Sequence, residues 1–366
     1  MSAALVEIVV GSLGGNLLGI TPNEWITYLA SVGAILLTFL AGTELDPVIV
    51  RKHLGSTLSI GVVGFVVPYL GVLIFARYGL GWPWPQAQIA GIALSTTSVA
   101  VVYAVMVETG FNQTEISKII LAGCFVNDVG TVLALGVVFA NYNIWLVLFA
   151  VVTALAMWFT PKLAWFTKRF GGRVSEPEAK LLLLVLFALA TLAATAKSEA
   201  VLPAYLLGMA LATFFIKERA LAQRLRVITF TLLTPFYFLK AGSLVKFETI
   251  AAAVGLITMF LAVKMATKFV GILPLTRMFN FDRREGMYAT LMMYTTLMMC
   301  TGLTFGTISA LFGLTNGIID QEQYTILVAA VIGSAVVPTL IAQRWFQPAF
   351  KPIAKEAAHV QENPDR

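Results

Sequence analysis

The stretch IALSTTSVAVVYAVM, residues 92–106, is apolar at both ends and carries four consecutive hydroxyl side chains, Ser95 to Ser98, between them. A second stretch, TTLMMCTGLTFGTISALFG at 295–313, is interrupted in the same way by Thr301, Gly302, Thr304 and Gly306. Hydroxyl residues inside an apolar helix can bond back to carbonyls of their own preceding turn. They can also mark a place where the helix is broken and its backbone groups face a cavity lined by protein. Which reading holds depends on where the two stretches fall in the chain.

A helix that crosses a bilayer needs about 20 mostly apolar residues, and twelve such segments can be placed. They run over roughly 4–20, 25–43, 57–76, 86–107, 114–141, 143–167, 177–196, 199–216, 226–245, 248–273, 284–311 and 322–345, with ends good to a few residues. The 366-residue chain is 58% hydrophobic and 12% charged, with mean hydropathy +0.85. An ordinary soluble domain carries about 25% charged residues. The chain therefore reads as an all-α polytopic membrane protein. Its connections are short, so residues 1–346 form a single transmembrane domain, followed by a polar cytoplasmic tail at 347–366.

Charge sets the orientation. Alternate loops on one side hold 19 Lys and Arg, whereas the opposite side holds only Arg77, Lys197 and Lys246. The rich side is expected to be cytoplasmic, which puts both termini inside a plasma membrane of the bacterial inner-membrane kind. The formal charge of +6 is explained by these loops and does not imply a nucleic-acid partner. The first segment lacks a basic flank and carries Glu7, unlike a cleavable signal peptide. Cys124 and Cys300 sit alone in apolar runs, without the spacing of a disulfide framework or a zinc site. No cofactor is implied.

The two interrupted stretches are the fourth and eleventh segments. Taking segments one to five (about 1–141) and eight to twelve (about 199–346) as repeats puts both at position four. Seven crossings separate corresponding segments, an odd number, so the second repeat is inverted relative to the first. Crossed broken helices at matching places in two inverted halves point to a transport site near the midplane, where freed carbonyls and helix ends can meet a charge. The matched positions favour breaks over simple back-bonding.

Next to the first break lies FVNDVG at 125–130. No charged residue lies within nine positions of Asp128 on either side. A carboxylate inside the membrane is costly and is by default a functional group. It is a hard oxygen ligand for a small cation and can hold a proton instead, so loading one displaces the other. Asp128 is the principal candidate for binding a transported monovalent cation, with Asn127, Thr96 and Thr97 beside it. In LAVKMATKFVGIL at 261–273, Lys264 and Lys268 are one turn apart on one helix face. Two ammonium groups there would repel, so at least one is expected to snorkel to an interface. Lys240 is expected to snorkel outward. Glu44, Asp46 and Pro47 are expected at a cytoplasmic helix end, paired with Arg51 or Lys52. Tyr103 and Tyr205 are potential interhelical hydrogen bonders.

FVNDVG following an STTSVAV break resembles the membrane domain of the monovalent cation:proton antiporters, the sodium/hydrogen exchanger family. FLAGTELDP at 39–47, VEIVVGSLGGNLLGI at 6–20, TPFYFLKAGSLV at 234–245 and TKFVG at 267–271 resemble further pieces of it in the same order. The resemblance covers about residues 5–345. It implies that Asp128 is the cation and proton carboxylate, that Asn127 precedes it in an Asn-Asp pair, and that Lys268 is the buried charge-compensating base. It implies an elevator in which a core (57–141 and 248–346) moves against a dimer-forming scaffold (1–43 and 199–245). The partners implied are Na+ or K+ and H+, the lipid bilayer and a second copy of the chain. Many relatives with an Asp-Asp pair begin with one more helix, and Asn16 and Lys240 depart from the family pattern.

The alternative is a sodium-coupled symporter of an organic anion on the same fold, which would favour uncharged ligands over a lone carboxylate. Enzymes are disfavoured. An intramembrane aspartyl protease needs two aspartates, and no H-E-x-x-H occurs for a metalloprotease. No charged pore ring or carbonyl filter suggests a channel.

Overall fold

Helical hydrogen bonding stops twice inside the apolar interior, at residues 96–98 and 301–303, and the helices around these gaps position the site. The computed structural model describes residues 3–43, 53–108, 115–139, 148, 151–155, 157–159, 176–195, 201–279 and 288–346. Among the described residues all regular structure is helical. The elements are α1 (Ala3–Leu17), α2 (Glu24–Thr43), α3 (Leu54–Ile74, ending in a π turn Phe75–Gly79), α4 (Trp84–Ser95), α5 (Val99–Glu108) and α6 (Glu115–Val138). They continue with α7 (Pro177–Thr195), α8 (Val201–Lys217), α9 (Arg219–Ile228, then a π turn Thr229–Leu233), α10 (Thr234–Ser243) and α11 (Phe247–Ala252). The last are α12 (Val254–Met278), α13 (Tyr288–Cys300), α14 (Thr304–Thr315) and α15 (Gln321–Trp345).

Every expected segment except the sixth, most of which lies outside the described residues, is present as helix. Six stretches are long and apolar enough to cross a bilayer, and Ala3–Leu17 and Val201–Lys217 are shorter apolar helices. The ninth segment starts earlier than hydropathy indicated. Its extension, α9, reads RALAQRLRVI, burying Leu221 and Leu225 while Arg219, Arg224 and Arg226 face out. Such an amphipathic turn has too many charges to register as part of a span. Arg224 pairs with Glu176. The expected pairing of Glu44 and Asp46 with Arg51 or Lys52, and the tail at 347–366, lie outside the described residues.

The helices pack in two groups. In one, α1 lies against α10, α8 against α2, and α2 against α10. In the other, α3 packs on α4, α6 and α12, while α12, α13 and α15 pack together and α14 joins α4 to α15. Contact between α6 and α8 links the groups. The first group has very close helix approaches. A Cβ on Gly242 would run into the backbone of Ile8, and one on Gly208 into that of Phe39. Small residues at such points let helices meet where lipid offers no hydrophobic drive to bring them together.

Candidate functional site

At the first break the chain leaves α4 in an extended conformation at Thr96 (φ −63°, ψ 153°) and re-enters helix at Val99. At the second it leaves α13 after Cys300 and restarts at Thr304. Each break frees carbonyls at one helix end and amides at the next. The two breaks satisfy some of these groups mutually. Ser98 N–H donates to Thr301 O at 2.9 Å, and the Thr97 hydroxyl donates to Met299 O at 2.9 Å.

The hydroxyls divide between the two readings that the sequence allows. Ser95 and Thr96 bond back to Ile92 O and Ala93 O at 2.9 and 3.0 Å, and Thr301 to Met298 O at 2.8 Å. Only Thr97 reaches across. Thus the Thr96 hydroxyl is turned back to its own helix, whereas the Thr97 hydroxyl bonds across to the second break.

The α6 helix carries the pair Asn127–Asp128 to the first break, with Asn127 fully buried and Asp128 2% exposed. Asn127 Oδ1 accepts from Thr97 N–H at 3.0 Å, and its Nδ2 donates to Ser95 O at 3.3 Å. One side-chain amide therefore satisfies an orphan donor and an orphan acceptor of the break. A carboxylate at 127 could not donate in this way unless protonated. Asp128 is thereby held beside the break by its neighbour.

Both lysines of α12 are fully buried, which overturns the expectation that at least one snorkels. Each ammonium finds its own partner. Lys268 Nζ donates to Thr97 Oγ1 at 2.8 Å, whereas Lys264 Nζ donates to Ser334 Oγ at 2.8 Å. They diverge toward different breaks, and the helix ends there carry partial negative charge that favours a cation. Lys240 is 8% exposed; its chain is covered rather than extended outward, a second departure from expectation. Helix α10, which carries it, packs against α1 and α2.

The structure brings together Thr97, Asn127 and Lys268, with Asp128 next to Asn127 in α6 and Thr96 next to Thr97 in the break. Met299 and Ser334 were not singled out from sequence, and Gly302 was named only as part of the second interruption. Met299 and Gly302 contribute backbone oxygens, which side-chain identity does not reveal. Tyr205 does bridge helices: its hydroxyl donates to Phe125 O at 3.2 Å, and its ring stacks edge-on against Phe305 at 5.9 Å. Tyr103 is half-exposed and lines a cavity of about 520 Å³ with Val99, Phe125, Phe215, Arg219 and Arg226. That cavity opens between α5–α6 and α8–α9, and Phe125 is three residues from Asp128.

Residues 1–347 match the family model described as sodium/hydrogen exchanger, transmembrane. The chain is 23% identical over 354 residues to the Na(+)/H(+)-K(+) antiporter GerN of Bacillus cereus, covering 90% of this chain and 86% of that one. It is 23% identical over 368 residues to a Na(+)/H(+) antiporter of Enterococcus hirae, covering 93% and 90%. Its fold is similar to that of the sodium proton antiporter MjNhaP1 from Methanocaldococcus jannaschii, with TM-score 0.68, 13% identity, and coverage of 94% and 92%. The family model matches the chain along nearly its whole length, and this multi-pass membrane protein belongs to the sodium/hydrogen exchanger family.

Proposed function

We propose that the protein exchanges a monovalent cation, Na+ or K+, for H+ across the membrane by an elevator-type alternating-access mechanism. The observation that carries this is Asp128, a nearly fully buried carboxylate held beside a pair of mutually bonded helix breaks. Either a cation or a proton neutralises it. Carbonyl oxygens of the breaks complete the shell of a dehydrated cation, and protonation empties that shell. The names of the relatives agree with this chemistry, and nothing in the match favours the organic-anion symporter.

Several features support the finer parts of the reading. The pairing of α1 with α10 and of α8 with α2 is what two inverted repeats would generate, since segments one and nine then correspond to eight and two. The division of the helices into two packing groups supports a core that moves against a scaffold. The cavity between them is lined by Arg219 and Arg226, which lie on the side expected to be cytoplasmic, and this supports an inward-facing state. Close-packed α1, α2, α8 and α10 supply a rigid scaffold suited to dimerisation. Asn127 cannot ionise, which favours electroneutral one-for-one exchange, with Lys268 serving as a fixed compensating charge.

The test is proton efflux from proteoliposomes, followed with a pH dye on adding Na+, K+ or Li+ in turn. Asp128→Asn is expected to abolish exchange while the protein remains folded. Residual exchange above about a tenth of wild type would remove Asp128 from the central role; about 1.4 kcal/mol separates each tenfold step.

A further inference from the structure

Lys264 has no part in the exchange just described, yet it is fully buried and directed to the second break. Its ammonium donates to Ser334 Oγ at 2.8 Å, and that hydroxyl lies 2.7 Å from Val331 O and 3.2 Å from Gly302 O. A Cβ on Gly302 would collide with the Lys264 ammonium and would sit 2.8 Å from Thr96 Oγ1 and 3.0 Å from Thr96 O. The space left by that absent side chain is therefore shared by one ammonium and by oxygens from both breaks. It is an oxygen-lined position already occupied by the end of a lysine.

The place of this position in the fold mirrors that of the Asp128 site. Asn127 ties α6 to the first break, and Ser334 ties α15 to the second. Asp128 lies 29 residues after Val99, the first residue beyond the first break, and Ser334 lies 30 after Thr304, the first beyond the second. Under an inverted repeat, Ser334 falls within one residue of the counterpart of Asp128. Where the first half has a carboxylate, the second half has a small hydroxyl and the end of a lysine. An ammonium resembles an alkali cation in charge and seeks the same oxygens, through its three donors.

We propose that the Lys264 ammonium is a tethered cation occupying the second of two related oxygen-lined positions at the paired breaks, so that only the Asp128 position is open to a transported ion. This rests on reading the breaks as a cation site. Such a residue limits the number of ions carried per cycle, because the second position is filled permanently.

The test measures thermal stability of the purified full chain against Na+, K+, Li+ and methylammonium, with choline chloride holding ionic strength. Asp128→Asn is expected to lose the cation-dependent rise in melting temperature. The double variant Asp128→Asn/Lys264→Ala is expected to regain a saturable rise, because the vacated position accepts a free cation. Asp128→Asn/Lys264→Met, which keeps the space filled, is expected to show none. No rise in the alanine double variant, or an equal rise in the methionine one, overturns the proposal. If Lys264→Ala does not fold in choline, Lys264→Ser carries the same measurement. Failure of both to fold even in methylammonium also overturns it, since a bound cation should replace the missing ammonium. Transport by the single variant keeps the two readings apart. Exchange lost in Asp128→Asn with no rise in the double variant sinks the tethered cation alone. Exchange retained in Asp128→Asn sinks the antiport assignment of Asp128 and this proposal with it.

Discussion

Thr97→Val tests how firmly the two breaks and α12 are joined. Valine nearly matches threonine in shape, so the change removes an oxygen and leaves the packing in place. Two hydrogen bonds are lost: the acceptor of Lys268 Nζ at 2.8 Å and the donor to Met299 O at 2.9 Å. A hydrogen bond to a charged group contributes about 1.5–3 kcal/mol and a neutral one about 1 kcal/mol. The expected loss of stability is therefore about 2.5–4 kcal/mol. Attribution needs a cycle rather than a single variant. Lys268→Met removes the same ammonium–hydroxyl bond from the other end, so the double variant should be more stable than the sum predicts by about 1.5–3 kcal/mol. Equilibrium unfolding of the four proteins in mixed lipid–detergent micelles supplies the numbers. Thr97→Ser, which keeps the oxygen, should recover most of the loss. Additivity within about 0.5 kcal/mol would refute the bond as a coupling between α12 and the first break.

Two further outcomes follow from the same geometry, besides the loss of exchange in Asp128→Asn. Exchange by the wild type should be insensitive to membrane potential when valinomycin clamps proteoliposomes at two potentials, and Lys268→Gln should slow it without changing stoichiometry. A clear rate difference between potentials, absent in Lys268→Gln, would show instead that the lysine carries a second proton. Gly302→Ala should destabilise the protein by about 1–3 kcal/mol and slow transport. Its Cβ meets the Lys264 ammonium, Thr96 Oγ1 at 2.8 Å and Thr96 O at 3.0 Å, and the last of these is a backbone atom that yields only if the breaks separate. A melting curve and transport rate equal to wild type would count against that packing.

What the sequence by itself determined was everything set by the chain's local chemistry. Apolar runs of bilayer length become helices because lipid leaves backbone groups no other partner. STTS at 95–98 and CTGL at 300–303 stop those helices because small and hydroxyl residues let the backbone leave the ladder, and Asp128 stood out as an isolated carboxylate in an apolar run. The amphipathic α9 was missed because its charges hide it from any apolar pattern. What only the tertiary structure decided was which groups meet. Spacing put Lys264 and Lys268 on one face, and repulsion then argued that one must leave the interior. In the folded protein they reach Ser334 and Thr97 instead, from segments 70 and 171 residues away. Met299 O and Gly302 O join the site as backbone oxygens, which every residue possesses and no sequence distinguishes. The partners of a buried charge are fixed by long-range packing, and packing is a property of the whole chain.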